Sequence, residues 1–140
     1  MKNKKLLLVL VAMIAMMSMV LTSCGGPKTI EDYANSDSDF QQQMADIEKQ
    51  NTGLHISFSG NTVIYDFDFA EMGSYTESQI VNDSVKSNLE NGLNTMSSQY
   101  ASIISQMEDE TEITGVEMVV NYKYGDTMLA TASFDKNGKK

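Results

Sequence analysis

The strictest constraint on the fold is a segment in which apolar and polar residues alternate on both sides of a Gly-Asn pair. Alternation places the apolar side chains on one face of a strand, and Gly60-Asn61 suits a two-residue hairpin loop. This loop sets a register in which apolar residues oppose one another and His55 lies opposite Asp66. The apolar pairs are Phe58 with Val63, Ile56 with Tyr65 and Leu54 with Phe67. We therefore predict a hairpin with one face in the core and one in water.

A second alternating segment predicts another hairpin nearer the C-terminus. Its apolar positions are Val116, Met118, Val120, Tyr122 and Tyr124 on one strand, and Met128, Ala130, Ala132 and Phe134 on the other. A three-residue turn at Gly125-Asp126-Thr127 would place both sets on the same face. Residues 137–140 carry no such pattern, and we expect this tail to fray.

A helical segment precedes the first hairpin. Thr29 followed by Asp32 resembles a capping signal. The next apolar residues fall on one helical face: Ile30, Tyr33, Phe40, Met44 and Ile47. Their spacing predicts one helix, or two with a break at Ser36 to Ser38, ending near Asn51. Gly53 suits the position just past a helix end.

The clearest helical spacing lies between the two hairpins. Its apolar residues recur at steps of three or four: Val81, Val85, Leu89, Leu93, Met96, Tyr100, Ile103 and Met107. Gly92 weakens this helix in the middle. The acidic run from Glu108 to Glu112 opposes the helix dipole, so we expect the helix to end near Met107.

The order of these elements is helix, hairpin, helix, hairpin, which predicts an α+β fold. We expect two layers, namely a four-stranded antiparallel sheet with both helices packed on one face. The two hairpins begin similarly, at Gly53-Leu54 and Gly115-Val116, which suggests a pseudo-repeat of about 62 residues.

The N-terminus has the organisation of a secretory signal. A lysine-containing start is followed by an apolar run from Leu6 to Val20, which is shorter than the roughly 20 residues that a membrane-spanning helix needs. We expect residues 1–23 to be a removed signal peptide and residues 24–28 a tether. The folded domain would then cover residues 29–136.

Charge and cysteine content exclude several classes of function. After loss of the signal the chain would carry seven lysines, no arginine and nineteen carboxylates, a net charge of −12. Such a chain repels nucleic-acid phosphates, and we expect no nucleic-acid partner. Because Cys24 is the only cysteine, no intramolecular disulfide and no thiolate cluster for zinc or iron can form. We expect no metal and no cofactor.

The sequence Leu21-Thr22-Ser23-Cys24 resembles the lipobox of bacterial lipoproteins. With Thr-Ile-Glu-Asp-Tyr at residues 29–33, a glycine-led hairpin and a long second helix, the chain resembles small lipoproteins of Gram-positive bacteria that are grouped as a domain of unknown function. The resemblance implies that Cys24 carries acyl chains such as palmitate, and that the protein is anchored to the outer, extracytoplasmic face of the cell membrane. It implies a location and no activity.

Each group of candidate functional residues has an ordinary structural interpretation as well. His55 beside Asp66 could form a base or pH sensor, but a surface ion pair is the commoner outcome. Asp66, Asp68 and Glu71 could offer oxygen ligands to calcium, but their spacing is not that of an EF-hand loop, and a solvated sheet face is the simpler interpretation. The run from Glu108 to Glu112 could attract cations or a basic peptide, or could be a soluble linker between helix and strand.

Catalysis has little support in the sequence. No Gly-x-Ser-x-Gly or Ser-x-x-Lys motif accompanies the single histidine, and no phosphate-binding glycine loop is present. Our leading hypothesis is a non-catalytic binding or assembly module whose wet sheet face meets a protein partner. That face would be formed by His55, Ser57, Ile64, Asp66 and Asp68. The alternative is a small enzyme or ligand-binding protein for cell-envelope or peptide substrates, which would need a deep pocket.

Overall fold

The computed structural model describes residues 29–140. The predictions for the signal peptide, for Cys24 and for the tether concern residues outside this range. The described chain contains helices α1 (Ile30–Ser36), α2 (Ser38–Gln50), α3 (Glu77–Ile80), α4 (Asp83–Thr95) and α5 (Ser97–Thr111). Its strands are β1 (Leu54–Ser59), β2 (Thr62–Asp68), β3 (Glu117–Tyr124), β4 (Thr127–Asp135) and β5 (Gly138–Lys139).

The strands form one five-stranded mixed sheet in the order β1-β2-β3-β4-β5. The α+β class is therefore confirmed, whereas the four-stranded antiparallel sheet is wrong in two respects. Strands β2 and β3 are parallel, because α3, α4 and α5 return the chain to the end of the sheet where β2 began. The tail expected to fray pairs with β4 through Gly138 and Lys139.

The first half of the chain follows the sequence pattern closely. Thr29 accepts a hydrogen bond from the Asp32 N–H and caps α1. The helix breaks at Asp37, whose carboxylate accepts from the Phe40 N–H and so caps α2. The register of the first hairpin is the predicted one, with Phe58 opposite Val63 and His55 opposite Asp66.

The long second helix is divided where the sequence predicted continuity. Met96 separates α4 from α5, and its ψ of −1° bends the chain while its side chain stays buried. The helix also continues to Thr111, beyond the predicted end at Met107. Glu112 then ends it in a left-handed conformation at φ 58°.

The second hairpin turns differently from the prediction. Tyr124 pairs with Thr127 across a two-residue turn, Gly125-Asp126. A bulge follows, because β4 has one extra residue, Leu129, between the partners of Lys123 and Tyr122. The extra residue brings Ala130, Ala132 and Phe134 onto the same face as the apolar residues of β3, as predicted. Leu129 is consequently buried, whereas Met128, expected in the core, is 50% exposed.

The core lies between the helices and one face of the sheet. Buried residues of α1, α2, α4 and α5 share one cluster with alternate residues of the strands, including Val63, Met118 and Phe134. Phe67, Tyr122 and Phe69 stack side by side at its centre. Within residues 29–140, no helix has the length and apolar character needed to cross a membrane.

Candidate functional site

The side of the sheet that faces away from the core forms a surface that we call the open face. It is built by side chains of the four longer strands: His55, Ser57, Ile64, Asp66, Val119, Asn121, Thr131 and Ser133. Each of these residues is exposed or half-buried, while the residues that alternate with them point toward the helices. Both hairpins therefore contribute to one continuous surface.

The centre of the open face is apolar. Ile64 on β2 lies beside Val119 on β3 in the parallel register, and both side chains are half-buried. Ser57 on β1 and Ser133 on β4 flank this pair. A small apolar centre with a polar surround resembles the anatomy of protein interfaces.

A chain of hydrogen bonds crosses the open face next to this apolar pair. The Thr131 hydroxyl donates to Asn121 Oδ1 at 2.6 Å, and Asn121 Nδ2 donates to Asp66 Oδ1 at 2.8 Å. The three side chains come from neighbouring strands β4, β3 and β2. The bonds orient the Asp66 carboxylate, so this part of the surface is preorganised.

His55 does not form the ion pair that the sequence suggested. It lies opposite Asp66 in the strand register, yet its Nε2 atom is 2.8 Å from Glu71 Oε2. The two side chains are 52% and 48% exposed, so the pair contributes little to stability. Glu71 reaches His55 from the loop after β2.

Asp68 is not part of the exposed surface. Its side chain is buried, and Oδ1 accepts hydrogen bonds from the N–H groups of Ala70 and Gly125. It therefore holds the loop after β2 against the turn of the second hairpin. Asp68 was predicted to belong to the partner surface, and its burial shows that it does not.

The carboxylates considered for calcium have separate partners. Asp66 binds Asn121, Asp68 binds backbone N–H groups and Glu71 binds His55. Among residues 29–140 no group of three or more histidine, cysteine, aspartate or glutamate side chains is placed to hold a metal ion.

Glu108 does not lie in a soluble linker, which was one interpretation of the sequence. It is a buried residue of α5 that bonds the start of the second hairpin. Its Oε1 atom accepts from the N–H groups of Gly115 and Val116 at 2.8 and 3.1 Å. Lys136 Nζ lies 3.2 Å from Oε2. Burial alone would raise the pKa of Glu108, but the Val116 N–H, Lys136 and the Gly115 N–H together lower it.

The hypothesis drawn from the sequence included only half of the residues that form the open face. Val119, Asn121, Thr131 and Ser133 were not named, although they alternate with the apolar residues of the second hairpin. That alternation was the available signal. It could not show that β3 lies beside β2, because pairing between hairpins depends on the path of the helices.

The family model described as a domain of unknown function, DUF4854, matches residues 30–134. No curated protein matches the chain. No solved structure matches it.

Proposed function

The chain belongs to the DUF4854 family, and we propose that its domain is a non-catalytic binding or assembly module that presents the open face to a protein partner. The observation that supports this proposal is that both hairpins contribute side chains to one continuous face. Two hairpins supply the central Ile64 and Val119 side chains and the hydrogen-bonded Asp66. An uncovered apolar centre beside preorganised polar groups suits a protein surface better than a small molecule.

We also propose that the protein acts from the outer face of a membrane. The support is the lipobox-like Leu21-Thr22-Ser23-Cys24 after a short apolar run. Two acyl chains on one residue are enough for stable anchoring. Cys24→Ser should abolish palmitate labelling and release the protein from membranes, as measured by metabolic labelling and fractionation. Unchanged membrane attachment of that variant would refute lipid anchoring at this residue.

The binding proposal is tested by photo-crosslinking in intact cells. A photoreactive amino acid at Ser57 or Thr131 should capture one recurrent partner, because both side chains are exposed on the open face. The matched control is the same amino acid at Asn88, which is exposed on α4. Partner identity is read by mass spectrometry of the crosslinked band.

A second variant separates binding from folding. Val119→Lys places a charge at the apolar centre of the face and should abolish both crosslinks. The melting temperature of the variant shows whether the domain remains folded. Crosslinks that persist in a folded Val119→Lys protein, or that form equally from Asn88, would overturn the proposal.

A further inference from the structure

A groove runs along the outer edge of β1, below that strand and beside helices α1 and α2. Its volume is about 270 Å³. Apolar side chains form most of its wall, and Glu48 lies at one side: the lining includes Phe40, Met44, Ala45, Ile56 and Phe58. The groove lies on the core side of the sheet and is separate from the open face.

Carboxylate side chains cap two backbone N–H groups along this edge, one in β1 and one in the turn after it. The Ile56 N–H donates to Glu48 Oε1 at 2.6 Å, which shows that this N–H points outward from the sheet. Backbone groups alternate in direction along an edge strand, so the N–H of Phe58 points the same way. At Gly60 the N–H donates to Glu31 Oε2, also at 2.6 Å. Carboxylates thus occupy positions where a neighbouring strand would place carbonyl oxygens.

The side chains beneath β1 are incompletely covered. Ile56 and Phe58 are half-buried, whereas their cross-strand partners Tyr65 and Val63 on β2 are fully buried. A strand added at the edge would direct every second side chain into the groove. Apolar side chains at those positions would complete the burial of Ile56 and Phe58.

The segment that forms the groove is acidic, and its charge favours a basic partner. Residues 30–59 contain six carboxylates and one lysine, Lys49, which lies 3.9 Å from Asp46. A second copy of the chain would bring two such acidic segments together if it paired through β1, because a two-fold interface opposes identical surfaces. A basic segment meets no such repulsion.

We propose that the edge of β1 binds an extended basic peptide as a sixth strand, with alternate apolar side chains in the groove. A peptide carbonyl would replace Glu48 as acceptor for the Ile56 N–H. The released Glu48 carboxylate would remain beside the peptide and favour its positive charge. This mode is strand addition at a sheet edge. It uses a different surface from the open face and stands independently of the function proposed above.

The test uses synthetic peptides of about eight residues with alternating lysine and valine. Two further peptides carry N-methyl groups, one on the valines and one on the lysines. Backbone pairing uses the N–H groups of only one of these sets, and which set depends on strand direction. We expect one methylated peptide to bind at least about tenfold more weakly than the other in fluorescence anisotropy at physiological ionic strength. Equal binding of the two would overturn the proposal.

Two variants on α2 provide the matched comparison. Ala45→Lys places a cation in the groove and should weaken peptide binding about tenfold or more. Gln43→Lys makes the same charge change at an exposed site outside the groove and should weaken it by less than about threefold. Thermal melts confirm that both variants are folded. Equal weakening by both variants would indicate charge attraction alone. If the free protein forms dimers and Ala45→Lys dissociates them, the edge of β1 serves self-association. Either result refutes the proposal.

Discussion

The two helix-and-hairpin units of the domain close their outer strands by different means. In the first unit, carboxylates of Glu31 and Glu48 accept hydrogen bonds from the hairpin backbone at the edge of the sheet. In the second unit, the backbone of β5 pairs with the last two residues of β4, Phe134 and Asp135, and occupies that end of its edge. Both devices blunt an edge strand. A side-chain cap can be exchanged for a peptide by rotation of one side chain, whereas a backbone strand must unfold first.

The units also differ in how the chain passes into each hairpin. Gly53 and Gly115 occupy corresponding positions and both have positive φ, 88° and 76°. A Cβ atom at Gly53 would lie 2.5 Å from the Asp68 carbonyl oxygen, while the space around Gly115 is open. The first unit is therefore packed tightly at this point, and the second satisfies its backbone there through Glu108.

The largest expected effect compares these two glycines. Gly53→Ala should lower the free energy of unfolding by about 3 kcal/mol or more, because the contact with Asp68 adds to the cost of a left-handed alanine. Gly115→Ala carries only the conformational cost, about 1 kcal/mol. Urea denaturation measures both values. Equal losses would show that the two glycines have the same role.

The next largest effect compares the loss of unfolding free energy when Glu108 of the second unit or Glu48 of the first is replaced. Glu108→Gln should lower the free energy of unfolding by about 2 kcal/mol at neutral pH, since it weakens charge-assisted bonds of a buried group. Glu48→Gln should cost less than about 1 kcal/mol, because Glu48 is half-buried and has one such bond. Denaturation of both variants under the same conditions gives the comparison.

Glu108 should also contribute to the pH dependence of stability. Its pKa is lowered in the folded protein from the ordinary value of 4.5. Its contribution is therefore complete above that value, and it is lost as the pH falls through the lower folded pKa. Denaturation between neutral and acidic pH should show a smaller decrease for Glu108→Gln than for the parent protein. Parallel curves would contradict the assigned pKa direction.

Removal of residues 137–140 should expose the end of the β4 edge that β5 covers. The change deletes β5 and the hydrogen bond from the Lys140 N–H to the Ser133 carbonyl, and should cost about 1 to 2 kcal/mol. The exposed edge of β4 should then cause concentration-dependent association, measured by sedimentation velocity. A variant with Lys139 and Lys140 both changed to alanine keeps the backbone and should remain monomeric.

The smallest effect compares one tyrosine from each unit. The Tyr33 hydroxyl donates to Asp37, and burial together with this carboxylate raises the pKa of Tyr33 to about 12. Tyr33→Phe should lower the free energy of unfolding by about 0.5 kcal/mol.

Tyr122 should respond in the opposite direction. Burial raises the pKa of Tyr122, and the nearby Tyr100 raises it further, but within residues 29–140 its hydroxyl has no partner with acceptable hydrogen-bond geometry. Tyr122→Phe should therefore be neutral or raise the free energy of unfolding by up to about 1 kcal/mol. Thermal denaturation compares the two tyrosine variants, and a loss at Tyr122 would reveal a hydrogen bond there.

Local features of the fold could be predicted where residues close in sequence determine them. The Gly60-Asn61 loop sets the register of the first hairpin, and Asp37 breaks the first helix through a bond to Phe40 three residues away. The apolar alternation of the second hairpin likewise identified the core side of β3.

Features that depend on distant contacts could not be predicted in this way. The parallel pairing of β2 with β3 follows from the return path of the helices, and β5 pairs although two residues show no alternation. His55 was placed opposite Asp66 correctly, but its partner Glu71 comes from a loop whose path the sequence does not indicate. Half of the open face was missed for the same reason.

Asn61 brings the two ends of the described chain to one end of the sheet. Its side chain accepts from the Ile30 N–H, and its carbonyl accepts from the Glu117 N–H. The Glu117 carboxylate in turn binds the Lys140 ammonium. The ends of residues 29–140 therefore lie at the same end of the sheet, where a short linker could join them. The domain is therefore suited to circular permutation, with new termini at the Gly125-Asp126 turn, and to insertion as a unit into a surface loop of another protein.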